Sequence, residues 1–161
     1  MPHTMSVTTP GDREVAMVRA FDAPRDLVFD AFAKPELVKR WMAVDAWPMR
    51  DCEIDFRPGG SFRWIWQHAD GREMAVSGGY VEIDRPTRIV HTEIFDEDWT
   101  GGQTTVTTTF EESGGVTTVT MTTLYVSREA RDAALATPMD EGVAECFDKL
   151  EAMLADNASA A

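Results

Sequence analysis

The sequence is short of the groups that metal centres, disulfide frameworks, membrane spans and nucleic-acid surfaces need. It carries two cysteines, Cys52 and Cys146, and three histidines. Neither cysteine belongs to a CxxC pair or stands near a ligand cluster, so both read as reduced, half-buried thiols. One histidine lies in the N-terminal stretch, which leaves too few for a metal set. No apolar run approaches the ~18 residues of a membrane span. The opening MPHTMSVTTPGDR has neither a basic nor an apolar signal region, so a cytoplasmic location away from membranes is expected. Basic residues are also few, 15 against 28 acidic ones, for a formal charge of -13. Such a surface repels phosphate backbones and anionic headgroups, which excludes nucleic acid as a partner. No GxSxG, HExxH, P-loop or dinucleotide fingerprint occurs, so no metal and no nucleotide or other cofactor is expected.

What remains is ordinary globular material. Of 161 residues, 43% are hydrophobic and 27% charged, enough for one core and one domain. Residues 1–12 and 157–161 are small, polar and unpatterned and read as flexible ends around a single domain over 13–156.

Periodicity supplies the elements. EVAMVRAF at Glu14–Phe21 is a first strand, stopped by Asp22-Ala23-Pro24. Asp22 is placed to cap a short helix carrying Leu27, Val28, Ala31 and Phe32, and Pro35 opens a second with Leu37, Val38 and Trp41. Period-two alternation then runs through Cys52, Ile54 and Phe56, and through Phe62, Trp64, Trp66 and His68. Four more strands follow over 73–83, 88–95, 103–112 and 116–125, joined by short turns that favour antiparallel neighbours. Ser127 opens a helical region. Thr137-Pro138 marks a kink or restart, with Thr137 as cap, before an amphipathic helix that presents Val143, Cys146, Phe147, Leu150, Met153 and Leu154. The order of elements is α+β: an antiparallel sheet bent about the terminal helix.

The candidate chemistry lies on the alternating faces. Phe62, Trp64, Trp66 and His68 share one side of a strand and either wall a cavity or fill a core. Ile89, His91, Glu93 and Phe95 share a face of the strand over 88–95, opposite Val90, Thr92 and Ile94, and apolar content alone leaves the inward side open. With His91 inward, its carboxylate neighbour Glu93 serves as an acid-base partner or as an orienting hydrogen bond; with it outward, both are solvated. Phe110, Met121, Val143 and Phe147 complete the expected ligand-binding lining. Trp41, Trp47 and Trp99 fall in connections, as cavity-mouth residues or as local anchors, and the loop 96–102 reads as a lid.

Four stretches carry a resemblance: FDAPRDLVFDAFAKPELVKRWM from Phe21, RPGGSFRW from Arg57, GGYVEIDRPTRIVHTE from Gly78 and SREARDAALATPMDEGVAECFDKLEAML from Ser127. Together they resemble the Bet v 1-like or START-like (SRPBCC) superfamily, in its activator of Hsp90 ATPase homologue branch. The resemblance implies a helix-grip fold, with six to seven curved strands wrapped around a long C-terminal helix and two short helices after the first strand. It also selects the face of His91 and Glu93 as inward. Cavity walls without a recognisable reaction centre point to binding of a small hydrophobic or aromatic ligand, and the absence of any cavity above about 300 Å³ would count strongly against that reading. The alternatives are a cofactor-independent cyclase, dehydratase or hydrolase using His68, His91 and Glu93, and an interaction domain that docks a chaperone. A homodimer is also open.

Overall fold

The computed structural model describes residues 3–160, with side chains through Asp156. Strand β1 (Ser6–Thr8) precedes β2 (Glu14–Phe21), the helices α1 (Arg25–Ala33) and α2 (Pro35–Trp41), and then six strands. These are β3 (Met49–Ile54), β4 (Ser61–Gln67), β5 (Glu73–Asp84), β6 (Arg88–Phe95), β7 (Thr104–Ser113) and β8 (Val116–Leu124). Helix α3 (Arg128–Leu135) and the 22-residue α4 (Met139–Ala160) close the chain. The strands form one antiparallel sheet in the order β1-β2-β8-β7-β6-β5-β4-β3, curved as the helix-grip architecture requires.

Two elements exceed the sequence reading. Ser6–Thr8 pair with Ala16–Val18, so an edge strand stands in the stretch that shows no pattern, and the sheet has eight strands instead of six or seven. Helix α4 continues to Ala160, past residue 157 where a flexible tail is expected; Met1, Pro2 and Ala161 lie outside the described residues. No described helix is long and apolar enough to cross a membrane.

The caps are partly different from expectation. Ser127 accepts from Ala130 N as the α3 cap, and Pro35 occupies the first turn of α2. Asp22 does not cap α1; it bonds His3, and Glu112 of β7 instead accepts from Arg25 N at 2.6 Å. Thr137 does not cap α4 either. Its hydroxyl donates back to Ala134 O at 2.6 Å, so α4 restarts behind Pro138 without a threonine cap.

Burial follows the alternation. On β7 Thr104, Val106, Thr108 and Phe110 are buried, while Thr105, Thr107 and Thr109 are half-buried on the outer face. There Thr107 and Thr109 sit opposite Thr122 and Thr120, polar cross-strand pairs that suit a solvated sheet face. The core joins the inner face to the helices: Phe110 meets the Phe29 and Phe32 rings at 5.2 Å each, and Phe21 meets Phe147 at 5.6 Å. Arg19, 1% exposed on the inner side of β2, donates to Asp148 and Glu151 of α4 at 3.1 and 3.0 Å and lies over the Phe21 ring. It clamps the helix to the sheet.

The adjacent glycines of β5 differ in what they permit. A Cβ on Gly78 would strike the Thr92 carbonyl oxygen and the Phe62 ring, whereas one on Gly79 would make only an ordinary 3.5 Å contact with Gly60 O. Gly78 is therefore where β5 lets the Phe62 ring lie against its backbone. Gly78→Ala should cost about 1–3 kcal/mol through overpacking, and Gly79→Ala should stay within about 0.5 kcal/mol. Urea titration of both variants checks the contrast; equal stabilities would remove the steric account.

Candidate functional site: an apolar cavity with one polar pair

A cavity of about 210 Å³ lies between the inner face of the sheet and the first half of α4. Trp64 and Trp66 of β4 form one wall, and His91, Glu93 and Phe95 of β6 the next. Thr108 of β7 and Met121 of β8 continue it, Met139, Val143, Cys146 and Phe147 cover it, and Trp99 stands at the opening. The side chains of α4 divide between core and void. Phe147, Leu150, Met153 and Leu154 are buried in the core, whereas Met139, Val143 and Cys146, toward the start of the helix, line the cavity.

Polar groups are few inside. His91 Nε2 lies 2.9 Å from Glu93 Oε2, with the two side chains 12% and 21% exposed. They meet because residues two apart on a strand project from the same face. Tyr125 donates to Met139 Sδ, at 3.5 Å. Burial, with the Glu93 charge added, pushes its phenol up to about 12. Tyr80 is shifted upward by burial first, then by Cys52 and Glu93. Burial pushes the Cys146 thiol up to about 11, so this cavity cysteine stays protonated and is a poor nucleophile. Cys52, also half-buried and pushed up to about 11 by burial, lies on β3 outside the cavity.

The structure sorts the residues singled out in the sequence. Trp64, Trp66, His91, Glu93, Met121, Val143 and Phe147 all line the cavity, and β6 turns the His91 face inward. His68 does not join them. Strand β4 ends at Gln67 and the chain turns, with His68 N donating to Arg72 O. The His68 ring packs on Trp47 at 5.0 Å with Nδ1 3.0 Å from Asp70. The proposed set of His68, His91 and Glu93 is therefore reduced to the last two.

Phe62 is 3% exposed and backs the wall, stacked behind Trp64 at 4.4 Å. Phe110 belongs to the core under α1. Trp41 is a deep wall and not a mouth residue, 1% exposed with its indole bonded to Ala31 O. Trp47 lies beside His68 and Arg72, away from the opening. Trp99 alone of the three keeps its expected place, 41% exposed and against Phe95 at 5.3 Å. Sequence reasoning missed Met17, Tyr80, Thr108 and Tyr125 as lining. The signal for Met17 and Thr108 was present, since each shares the alternation of its strand's buried face; Tyr125 lies one residue past the end of β8. Tyr80 follows the Gly78-Gly79 pair, which obscures the pattern of β5.

Outside the cavity, His3, Asp22 and Glu151 bring possible ligand atoms within 4.8 Å of one another. Arg19 already bonds Glu151, and its charge opposes a cation there.

Comparison with known proteins agrees with this architecture. The family model described as Activator of Hsp90 ATPase homolog 1-like protein matches residues 22–155. A crystal structure of a Rhodobacter sphaeroides protein is 30% identical, with 95% of this chain and 99% of that chain covered and a TM-score of 0.91. A Mycobacterium smegmatis protein, Ms6760, is 25% identical over 95% of this chain and 97% of its own, with a TM-score of 0.83. A Nitrosomonas europaea protein, NE0264, shares the fold at 21% identity, with 94% and 99% covered and a TM-score of 0.83. No curated protein matches the chain. With most of its length matched and its helix-grip sheet and terminal helix in place, the chain belongs to the Activator of Hsp90 ATPase homolog 1-like protein family.

Proposed function

We propose that the protein binds a small, largely apolar molecule, about one substituted ring in size, inside this cavity. The observation that carries the reading is the void itself: tryptophan, phenylalanine and aliphatic walls around about 210 Å³ that the helix leaves unfilled. The size sets the ligand. It is below the ~300–1,000 Å³ of pockets that take drug-sized molecules, and below the volume expected from the sequence, yet an apolar cavity of ~150 Å³ is enough for benzene. The His91–Glu93 pair gives such a ligand one polar end, and Trp99 at the opening covers it once bound. We place function in this cavity and not in the chaperone docking that the family description suggests, because the cavity is a built feature with named walls.

Two measurements test the reading. Toluene at ten times its dissociation constant adds about 1.4 kcal/mol to the folded state, or roughly 3–6 °C in the melting temperature of a domain this size. Val143→Phe, which places a ring in the void, should abolish that shift while the protein still melts cooperatively. A shift unchanged in the Val143→Phe protein would locate toluene elsewhere and overturn the assignment.

Truncation separates wall from core. Phe110→Ala empties a packed site and should lose about 3–5 kcal/mol. Trp64→Ala should lose less, since a ring beside a void lacks partners on one side, while toluene binding falls. Urea unfolding of the two variants decides, and a larger loss for Trp64→Ala would make that ring core.

A further inference from the structure

The charges around the cavity are unbalanced. Among the described residues that line it, Glu93 is the one carboxylate, and no lysine or arginine stands with it. The other titratable groups there are His91, Tyr80, Tyr125 and Cys146. Burial first and then the Glu93 charge raise the Tyr125 phenol, while burial, Cys52 and Glu93 raise that of Tyr80. Both rings therefore stay neutral, as does the buried Cys146 thiol.

Glu93 has one oxygen in use and one free. Its Oε2 lies 2.9 Å from His91 Nε2. Its Oε1 has no hydrogen-bond partner among the described residues, yet the buried side-chain atoms left unpaired there are Trp64 Nε1 and Arg25 Nε only. Oε1 is therefore accessible. Residues two apart on β6 share this face, which sets Glu93 between His91 and Phe95. Phe95 in turn meets Trp99 at the opening, at 5.3 Å, so the carboxylate stands on the mouth side of His91. Exposure agrees, at 21% for the Glu93 side chain and 12% for that of His91. A neutral imidazole leaves the carboxylate charge uncompensated, and an apolar wall makes such a charge costly until a cation meets it.

We propose that the ligand is a small arylalkylammonium ion, which enters ring first and rests its ammonium on Glu93 Oε1. This rests on the cavity-binding reading and names its ligand class. An ammonium offers donors and no acceptor, which matches an oxygen that only accepts, and its charge is the counter-ion that the wall lacks. Aromatic rings make up the neighbouring wall, with Trp64 and Tyr80 centroids 6.4 and 6.2 Å from the His91 ring, and π faces attract a cation. The formal charge of -13 concentrates cations near the opening. An anion of the same size would meet the Glu93 charge with no lysine or arginine to offset it.

The test uses the full chain with benzylamine, its uncharged isostere ethylbenzene, and benzoate. Tryptophan fluorescence follows binding at about pH 8, where an ordinary imidazole is neutral and benzylamine is still an ammonium ion. The wild-type protein should bind benzylamine and ethylbenzene, and should hold benzylamine at least about tenfold more tightly than benzoate. Glu93→Gln keeps the size of the side chain and an acceptor oxygen but removes the charge. It should lower the affinity ratio of benzylamine to ethylbenzene by about 10- to 100-fold. Val143→Phe, which fills the void, should abolish binding of both.

An affinity ratio unchanged in Glu93→Gln overturns the ammonium assignment. So does benzoate bound as tightly as benzylamine by the wild-type protein, a result that needs no variant to fold. Benzylamine binding that survives Val143→Phe while ethylbenzene is lost puts the amine on the acidic exterior and overturns it as well. Ethylbenzene bound without benzylamine overturns the ligand class and leaves the cavity reading standing. Failure of both compounds to bind the wild-type protein instead removes the cavity reading beneath the proposal.

Discussion

The docking of α4 against the inner face of the sheet is the contact on which the other features of the molecule depend. A curved antiparallel sheet with one apolar face must cover that face, and α4 is the longest helix among the described residues. Phe147, Leu150, Met153 and Leu154 fill the concavity toward the far half of the helix. Arg19 holds the same half from below, with its guanidinium against Asp148 and Glu151. Since that end is packed tightly, the axis of the helix is set for its whole length. At its start Met139, Val143 and Cys146 face the void instead of filling it.

Inside the void, the balance of polar and apolar groups has a definite physical consequence. A carboxylate and an imidazole buried among aromatic rings are tolerable only because they satisfy each other. Their pairing holds the imidazole ring in one orientation, with Nε2 toward the carboxylate. The same low-dielectric setting raises the tyrosines and Cys146, keeping them neutral. The result is a wall with few charges and one oriented ring, which favours an apolar ligand with a single polar feature.

Much of this was legible beforehand at the level of strands. The alternation through Phe62, Trp64 and Trp66 fixed a common face, and the turns at Asp84-Arg85-Pro86 and Ser113-Gly114-Gly115 set antiparallel neighbours. His91 and Glu93 were paired by simple period two. The alternation failed at His68 for a physical reason: its strand ends one residue earlier, and beyond the last ladder bond nothing obliges a side chain to keep its side. Asp22 and Thr137 failed as caps for a related reason. A cap needs an oxygen aimed at free amide groups, and other partners competed: Glu112 for the start of α1, His3 for Asp22, and the nearby Ala134 carbonyl for the Thr137 hydroxyl.

The chain by itself therefore determined the fold class, the covering role of the terminal helix and the residues that share each strand face, because these follow from periodicity and burial of apolar surface. Tertiary structure alone decided that the β6 face with His91 turns inward, that Trp41 lies deep while Trp99 stays at the mouth, and that Trp64 keeps an unpaired N–H. Those outcomes depend on distances between segments far apart in sequence, and on how much of the space between them the side chains fill. A one-dimensional pattern records which residues are apolar, but not the volume left over when the helix meets the sheet.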